Sequence, residues 1–208
     1  MSSPDRYSIR SVEALREVIG AEIPGLSAKN QLALDEFSMD FLSRSPFLVL
    51  TTSNADGDVD ASPKGDAPGF VSIEDERTLL IPDRPGNKLV YGHLNILANP
   101  KVGVLFLIPG TPETLRVNGT AELTVEPALL EKLSARGKPA VLVIRIHVEE
   151  CFFHCAKAFL RSQLWKPETW PERQKISFGR MFAKQAGADE AAARAVDAAV
   201  EADYRENL

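Results

Sequence analysis

Two loops concentrate the residues that could do chemistry. The first, Ser62-Pro63-Lys64-Gly65-Asp66-Ala67-Pro68-Gly69, sets a hydroxyl and a cation among glycines that let the backbone approach a ligand. The second, Ile81-Pro82-Asp83-Arg84-Pro85-Gly86-Asn87-Lys88, carries two cations and an amide and leads into a stretch of helical spacing. Arg84, Asn87 and Lys88 suit a phosphate, and a helix opening there adds free N–H donors for an anion. The competing reading of either loop is a solvated turn, the ordinary fate of Gly/Pro-rich segments.

Other chemistries are poorly served. Cys151, His154 and Cys155 lie close in sequence, but two cysteines and one histidine fall short of the four ligands of a structural zinc site. Cysteines near the end of an apolar strand are ordinary core residues. No nucleophile elbow surrounds Ser53 or Ser62. Asp56, Asp58 and Asp60 alternate near a turn without the glycine and terminal glutamate of a calcium loop.

The elements that must position the two loops follow from periodicity. Ser11 caps a short helix whose apolar residues Val12, Leu15, Val18 and Ile19 fall at helical spacing, and a second helix is expected over residues 28–44. From residue 47 the pattern turns to strands. Residues 47–53 and 58–62 form a hairpin about Asn54-Ala55-Asp56-Gly57, and residues 70–73 and 78–81 form another. A helix is expected over 88–97, then strands over 102–108 and 114–124. A helix over 127–136, with proline in its first turn, precedes a last long strand over 140–153. The remainder reads as helical, interrupted at residues 165–171, and ends in an alanine-rich helix with a thin apolar face of Ala192, Val196, Ala199 and Val200. That face suits packing on the barrel or on a partner subunit. Strands without βαβ alternation, with helices at the periphery, predict an α+β fold around an antiparallel barrel. The absence of a GxGxxG turn argues against a dinucleotide-binding Rossmann sheet.

Composition narrows the classes further. The chain has 208 residues, 44% of them apolar and 25% charged, which suits one globular domain over residues 1–208. Within it, residues 1–45 supply N-terminal helices, 46–153 the barrel and 154–208 a C-terminal helical segment. A net charge of −5 argues against a nucleic-acid partner, which would need a basic face. No apolar run reaches the length of a membrane span, the opening MSSPDRYSIR shows no apolar run behind its charges of the kind a secretory signal has, and two cysteines form no disulfide framework. A cytoplasmic protein is expected.

The motifs SPFLVLTTSNADGDVDASPKGDAPGFV, LLIPDRPGN, NILANPKVGVLFLIPG and ETLRVNGTAEL, followed by HCAKAFLRSQLW, are spread in order over a stretch of more than half the chain. Together they resemble the pyridoxamine-phosphate-oxidase-like, FMN-binding split-barrel superfamily, and within it a subgroup of FMN-dependent flavoproteins of unassigned substrate. The resemblance implies an antiparallel split β-barrel with peripheral helices, and a homodimer with FMN at the subunit interface. By position it implies cofactor contacts along residues 59–64, which include Ser62 and Lys64, and at Pro82 and Asp83. It also implies contacts at Asn87 and Lys88 near the phosphate, and at Thr114 and Arg116 on a later strand. Lys157, Arg161 and Trp165 would supply the partner's side of the cleft, with Trp165 near the isoalloxazine. The competing reading of that last segment is an amphipathic helix with a solvated basic face.

Two departures qualify what carries over. The oxidase pattern has Ser-Arg-Lys where this chain has Gly86-Asn87-Lys88, and relatives in the subgroup often carry an arginine where Leu89 stands. Phosphate charge then falls to Lys88, Arg84, Lys64 and Arg116. The chain also ends in DAAVEADYRENL, without the arginine- and histidine-containing segment that grips pyridoxal phosphate, so vitamin B6 oxidation does not transfer. The expected function is an FMN-dependent oxidoreductase of a small molecule, with hydride transfer at flavin N5. The alternative is a non-catalytic flavin-binding or storage protein, or a haem- or deazaflavin-handling protein, on the same barrel. With three histidines in the chain, no haem ligand stands out.

Overall fold

Period-two alternation becomes the strands of one antiparallel sheet. The computed structural model describes residues 7–206, so the outermost residues of the expected terminal segments, 1–6 and 207–208, lie outside the described residues. The strands are β1 (Phe47–Ser53), β2 (Val59–Gly65), β3 (Ser72–Asp75), β4 (Thr78–Asp83), β5 (Lys101–Leu107), β6 (Thr114–Thr124) and β7 (Leu142–His154). Their order is β2-β1-β5-β6-β7-β4-β3, every pairing antiparallel. The sheet curls around a core of Leu48, Leu50, Val104, Phe106, Val117, Ile144 and Ile146, all essentially inaccessible. Each such side chain contributes about 1.5–3 kcal/mol by leaving water. Since β2 and β3 are the edges and do not pair with each other, this is a split barrel.

A bulge opposite the Asn118–Gly119 step, where Glu149 is the extra residue, bends β7 against β6. It brings the backbones so close that a Cβ on Gly119 would lie 2.0 Å from the His147 carbonyl oxygen.

Seven α-helices surround the sheet among the described residues, and several boundaries differ from expectation for local reasons. Helix α1 is Val12–Ile19, capped by Ser11 as expected. The helix expected over 28–44 is instead a 3-10 turn (Leu26–Lys29) followed by α2 (Glu36–Arg44). Between them Gln31 exchanges backbone hydrogen bonds with Cys151 of β7, and Asp35 caps α2 by accepting from the Ser38 N–H at 2.8 Å. Helix α3 (Tyr91–Ala98) opens three residues later than expected because Lys88 (φ 61°) and Val90 (φ 50°) are left-handed. Helix α4 (Pro127–Lys132) stops short of 136, where Arg136 (φ 50°) and Gly137 (φ 74°) turn the chain. Strands β2 and β4 run on to Gly65 and Asp83, so Lys64, Pro82 and Asp83 are strand residues rather than loop residues.

The C-terminal part comprises α5 (Lys157–Ser162), a 3-10 turn (Pro167–Thr169), α6 (Phe178–Ala186) and α7 (Glu190–Glu206). Helix α7 packs on α6. Its buried residue is Ala193, one position from the expected face, because Gly179 lets the helices touch: a Cβ there would sit 1.9 Å from the Ala193 carbonyl oxygen. Asp197 fastens the pair, accepting from Ser177 Oγ at 2.5 Å and the Gly179 N–H at 2.8 Å. No helix among the described residues is long and apolar enough to cross a membrane.

Candidate functional site

A cavity of about 760 Å³ opens at the split in the barrel, where β2, the end of β4, the loop after β4 and the start of α3 meet. That volume is ordinary for a small-molecule or cofactor site. Period two on β2 makes Asp60, Ser62 and Lys64 half-buried, while Val59, Ala61, Pro63 and Gly65 are exposed on the opposite side. Being an edge strand, β2 pairs only with β1.

The split is closed by side chains rather than by a ladder. Lys64 of β2 forms an ion pair with Asp83 Oδ1 of β4, the two side chains being 14% and 17% exposed. The other Asp83 oxygen lies 3.4 Å from His93 Nε2 on α3. That nitrogen is buried and has no other partner. Burial holds the His93 imidazole below its ordinary pKa, against the pull of Asp83 and with a further push from Lys64, so His93 is neutral at pH 7. Nearer the back wall, Ser62 donates to Asp60 at 2.6 Å and Asn95 donates to Thr52 at 3.1 Å. Gly92 completes this polar corner: a Cβ there would lie 3.3 Å from Asp60 Oδ2 and 3.6 Å from Ser62 Oγ.

The two cations of the loop after β4 behave differently. Arg84 is engaged by the fold, donating from Nε to Asp66 Oδ2 at 2.9 Å and from one terminal nitrogen to the Leu133 carbonyl at 2.9 Å. Arg136 approaches the second Asp66 oxygen at 3.5 Å. Arg84 therefore anchors the loop to the rest of the fold. Lys88 is exposed and makes no hydrogen bond or ion pair among the described residues. Asn87 accepts from the Leu89 N–H at 3.0 Å, shaping the turn into α3. Val90, at the helix N-cap, offers no side-chain acceptor, so the first N–H groups of α3 stay uncapped beside the cavity.

Of the residues singled out in the sequence, Ser62, Lys64, Pro82, Asp83, Arg84, Asn87 and Lys88 line this one cavity. The other five do not. Thr114 is buried where β6 begins, opposite His154 of β7. Arg116 projects from β6 over the Phe152 ring, 5.6 Å from its centroid, and Lys29 approaches the same ring at 5.2 Å. Neighbouring His154 has its pKa lowered by burial first, then by Arg116 and Lys29. Lys157 and Arg161 are exposed on α5, and Trp165 stacks on Phe159 at 5.6 Å while donating to the Thr111 carbonyl at 2.9 Å.

The sequence reading missed Asp60, Gly92 and His93. Asp60 was signalled by its period-two spacing from Ser62 and Lys64. His93 was obscured because a helix begun at residue 88 puts it in the second turn rather than the first. Cys151 is buried and donates to the Ala33 carbonyl at 3.1 Å; burial raises its pKa, which makes it an inert core thiol. Among the described residues no group of three or more His, Cys, Asp or Glu side chains could hold a metal ion.

No curated protein matches the chain. Similar solved structures include HupZ of Group A Streptococcus, at 22% identity over 58% of this chain and 93% of that one, with a TM-score of 0.47. General Stress Protein 26 of Bacillus anthracis is 17% identical over 55% of this chain and 88% of its own, with a TM-score of 0.42. An FMN-binding protein of Syntrophomonas wolfei is 10% identical over 56% and 81%, with a TM-score of 0.42. The family model for pyridoxamine 5'-phosphate oxidase matches residues 34–155. That span contains all seven strands but the split barrel's outer helices only in part, and with more than half its length matched the chain belongs to the pyridoxamine 5'-phosphate oxidase family.

Proposed function

We propose that the protein binds FMN in the cavity at the barrel split and works as an FMN-dependent oxidoreductase on a small-molecule substrate. The observation that carries this reading is the meeting of Lys88, which has no partner among the described residues, with the uncapped first turn of α3 at the mouth of a cavity in a chain of this family. These groups fit a phosphate monoester: a free cation, backbone donors and an open approach at Gly86, where a Cβ would meet nothing within 4 Å.

A bound FMN would supply the hydride chemistry at N5, with an external acceptor for the electrons. The chain's own residues do the rest. Lys88, Asn87 and the α3 N–H groups hold the phosphate. Ser62 and Asp60 offer hydrogen-bonding groups to the polyhydroxyl part of the cofactor. Lys64, balanced by Asp83, keeps a cation at the cavity wall, and Phe70, Val141 and Leu142 exclude water from the apolar side. No protein nucleophile is required.

The working unit in this reading is a cytoplasmic homodimer with FMN at the subunit interface. Support comes from the outer face of the sheet. Directly opposed residues form the row Pro63–Val49–Leu105–Arg116–Phe152, with Phe47 and Leu107 beside it. Val49, Leu105 and Leu107 are only half-buried and Phe47 is 38% exposed, whereas their inward neighbours are buried. A twofold axis through the middle of that row would bring the Arg116 end of one protomer toward the β2 end of the other. The basic residues Lys157 and Arg161, with Trp165, would complete the cleft from the same side.

The test is an absorbance spectrum of the purified protein after addition of FMN and removal of excess. Near-ultraviolet and blue bands at one flavin per chain are expected. No retained flavin, and no quenching of flavin fluorescence on titration, would overturn the reading. Turnover with a reduced nicotinamide and an acceptor distinguishes an enzyme from a flavin store.

A further inference from the structure

We propose that His93 is a positioning residue of the cavity: through their shared contact with Asp83 it governs how tightly Lys64 is held, and so couples anion affinity to protonation of the imidazole. The proposal rests on the FMN reading above. Its basis is geometric. Asp83 presents one oxygen to Lys64 and the other to His93 Nε2 at 3.4 Å, which ties β2, β4 and α3 together through a single carboxylate. All three side chains line the cavity and are at least four-fifths removed from solvent. His93 Nε2 has nowhere else to turn, being buried without a hydrogen bond.

The consequence follows from charge. With His93 neutral, Lys64 and Asp83 cancel and the group of three carries no net charge. Protonation makes the group positive, and Asp83 must then divide its attraction between two cations. Both effects favour an anion in the cavity. The other charged groups facing this corner are Asp60 on β2, and Arg84 and Lys88 in the loop before α3; β1 contributes only the neutral Thr52 and α3 the phenol of Tyr91. Arg84 is paired with Asp66, and Lys88 stands apart from the Lys64–Asp83–His93 group. Burial, opposed by Asp83, moves the imidazole's transition below the ordinary histidine value, so the change falls on the acidic side of neutrality. By reciprocity, a bound anion must raise the affinity of His93 for its proton by the same factor.

The experiment compares wild-type protein with His93→Gln, which keeps a neutral hydrogen-bonding side chain without the titration. The dissociation constant for FMN is measured by fluorescence quenching from pH 5 to pH 8.5. The phosphate itself titrates near pH 6, so the readout is the ratio of the dissociation constants at high and low pH in each protein. That ratio is expected to be about fivefold larger in wild type than in His93→Gln, the low end of ordinary site-to-site coupling. Superimposable pH profiles would overturn the proposal. Binding of FMN by neither protein at any pH would overturn the flavin reading and this one with it, an outcome distinct from superimposed curves. Thermal melts of both proteins at each pH establish that the comparison is made on folded chains.

Discussion

Lys64 and Asp83 join two strands that share no backbone hydrogen bond. Strand β2 pairs only with β1, and β4 pairs with β3 and β7, yet the ammonium of one meets the carboxylate of the other across the split. The pair bridges β2 and the end of β4 across the split and is part of the cavity wall at once.

Removing one partner should therefore separate stability from affinity. Asp83→Asn leaves Lys64 largely buried without its counter-charge, at a cost of about 2–3 kcal/mol, toward the lower side for a pair that is not wholly desolvated. The same change releases a cation into the cavity. A lower melting temperature together with tighter FMN binding is expected in Asp83→Asn. Lys64→Met should lower both. Equal loss of affinity in the two variants would show that Asp83 itself contacts the ligand.

Lys88→Glu makes a different prediction. Lys88 is exposed and makes no hydrogen bond or ion pair among the described residues, so its reversal should leave the melting temperature within a degree or two, about 0.5 kcal/mol. Affinity for FMN should fall at least about tenfold through loss of a charge-assisted phosphate contact. Riboflavin, which lacks the phosphate, should bind both proteins alike. Unchanged FMN affinity would remove Lys88 from the site.

Two glycines test how the fold is divided. A Cβ on Gly119 would collide with the β6–β7 backbone inside the barrel, and a Cβ on Gly179 would collide with α7. Gly119→Ala should cost about 3 kcal/mol or more, since backbone must shift within the central sheet. Gly179→Ala should open the α6–α7 pair alone. Limited proteolysis should then cut between residues 178 and 206 while the barrel keeps its melting temperature.

The histidines set the acid side of the stability curve. Folding lowers the pKa of His93 and of His154 through burial, so between the folded and unfolded values the unfolded chain binds more protons. Stability must then rise with pH through that window, and is lost as pH falls below about 6.5, the unfolded value. Melting temperature should decline from pH 7 to pH 5. His154→Gln should decline less steeply. A parallel decline in that variant would show that His154 keeps its proton equilibrium on folding.

What the sequence made legible was the alternation of the strands and the ordering of the motifs. Residues 47–53 and 114–124 read as strands with their observed boundaries because one face is buried and the other is not. Seven of the twelve residues singled out lie in the two loops, and the fold brings those seven to one cavity. The helix over 28–44 did not read correctly, because its break depends on Gln31 pairing with Cys151, a contact across more than a hundred residues that no local pattern carries. Arg84 and Lys88 look alike in sequence. Only the fold puts Asp66 and the Leu133 carbonyl against the first and nothing against the second. The Lys64–Asp83–His93 group was illegible for the same reason, coming from three elements that meet only when the barrel curls.

The dimer can be tested at the middle of the outer row. Leu105 lies between Val49 and Arg116 on the outward side of β5, where it takes no part in the barrel's own core. Leu105→Glu sets a carboxylate in the centre of the proposed interface, where burying a charge costs more than a contact there can return, even with Arg116 opposite it on β6. In an isolated protomer the same glutamate stands in water and costs little. Light scattering should report a dimer for wild type and a monomer for Leu105→Glu, with the far-ultraviolet spectrum unchanged. If the partner completes the FMN site, the monomer should also lose flavin, although Leu105 is not among the residues that line the cavity. A monomeric variant that retains flavin at full affinity would place the whole site within one chain, and a variant that stays dimeric would move the interface off this face.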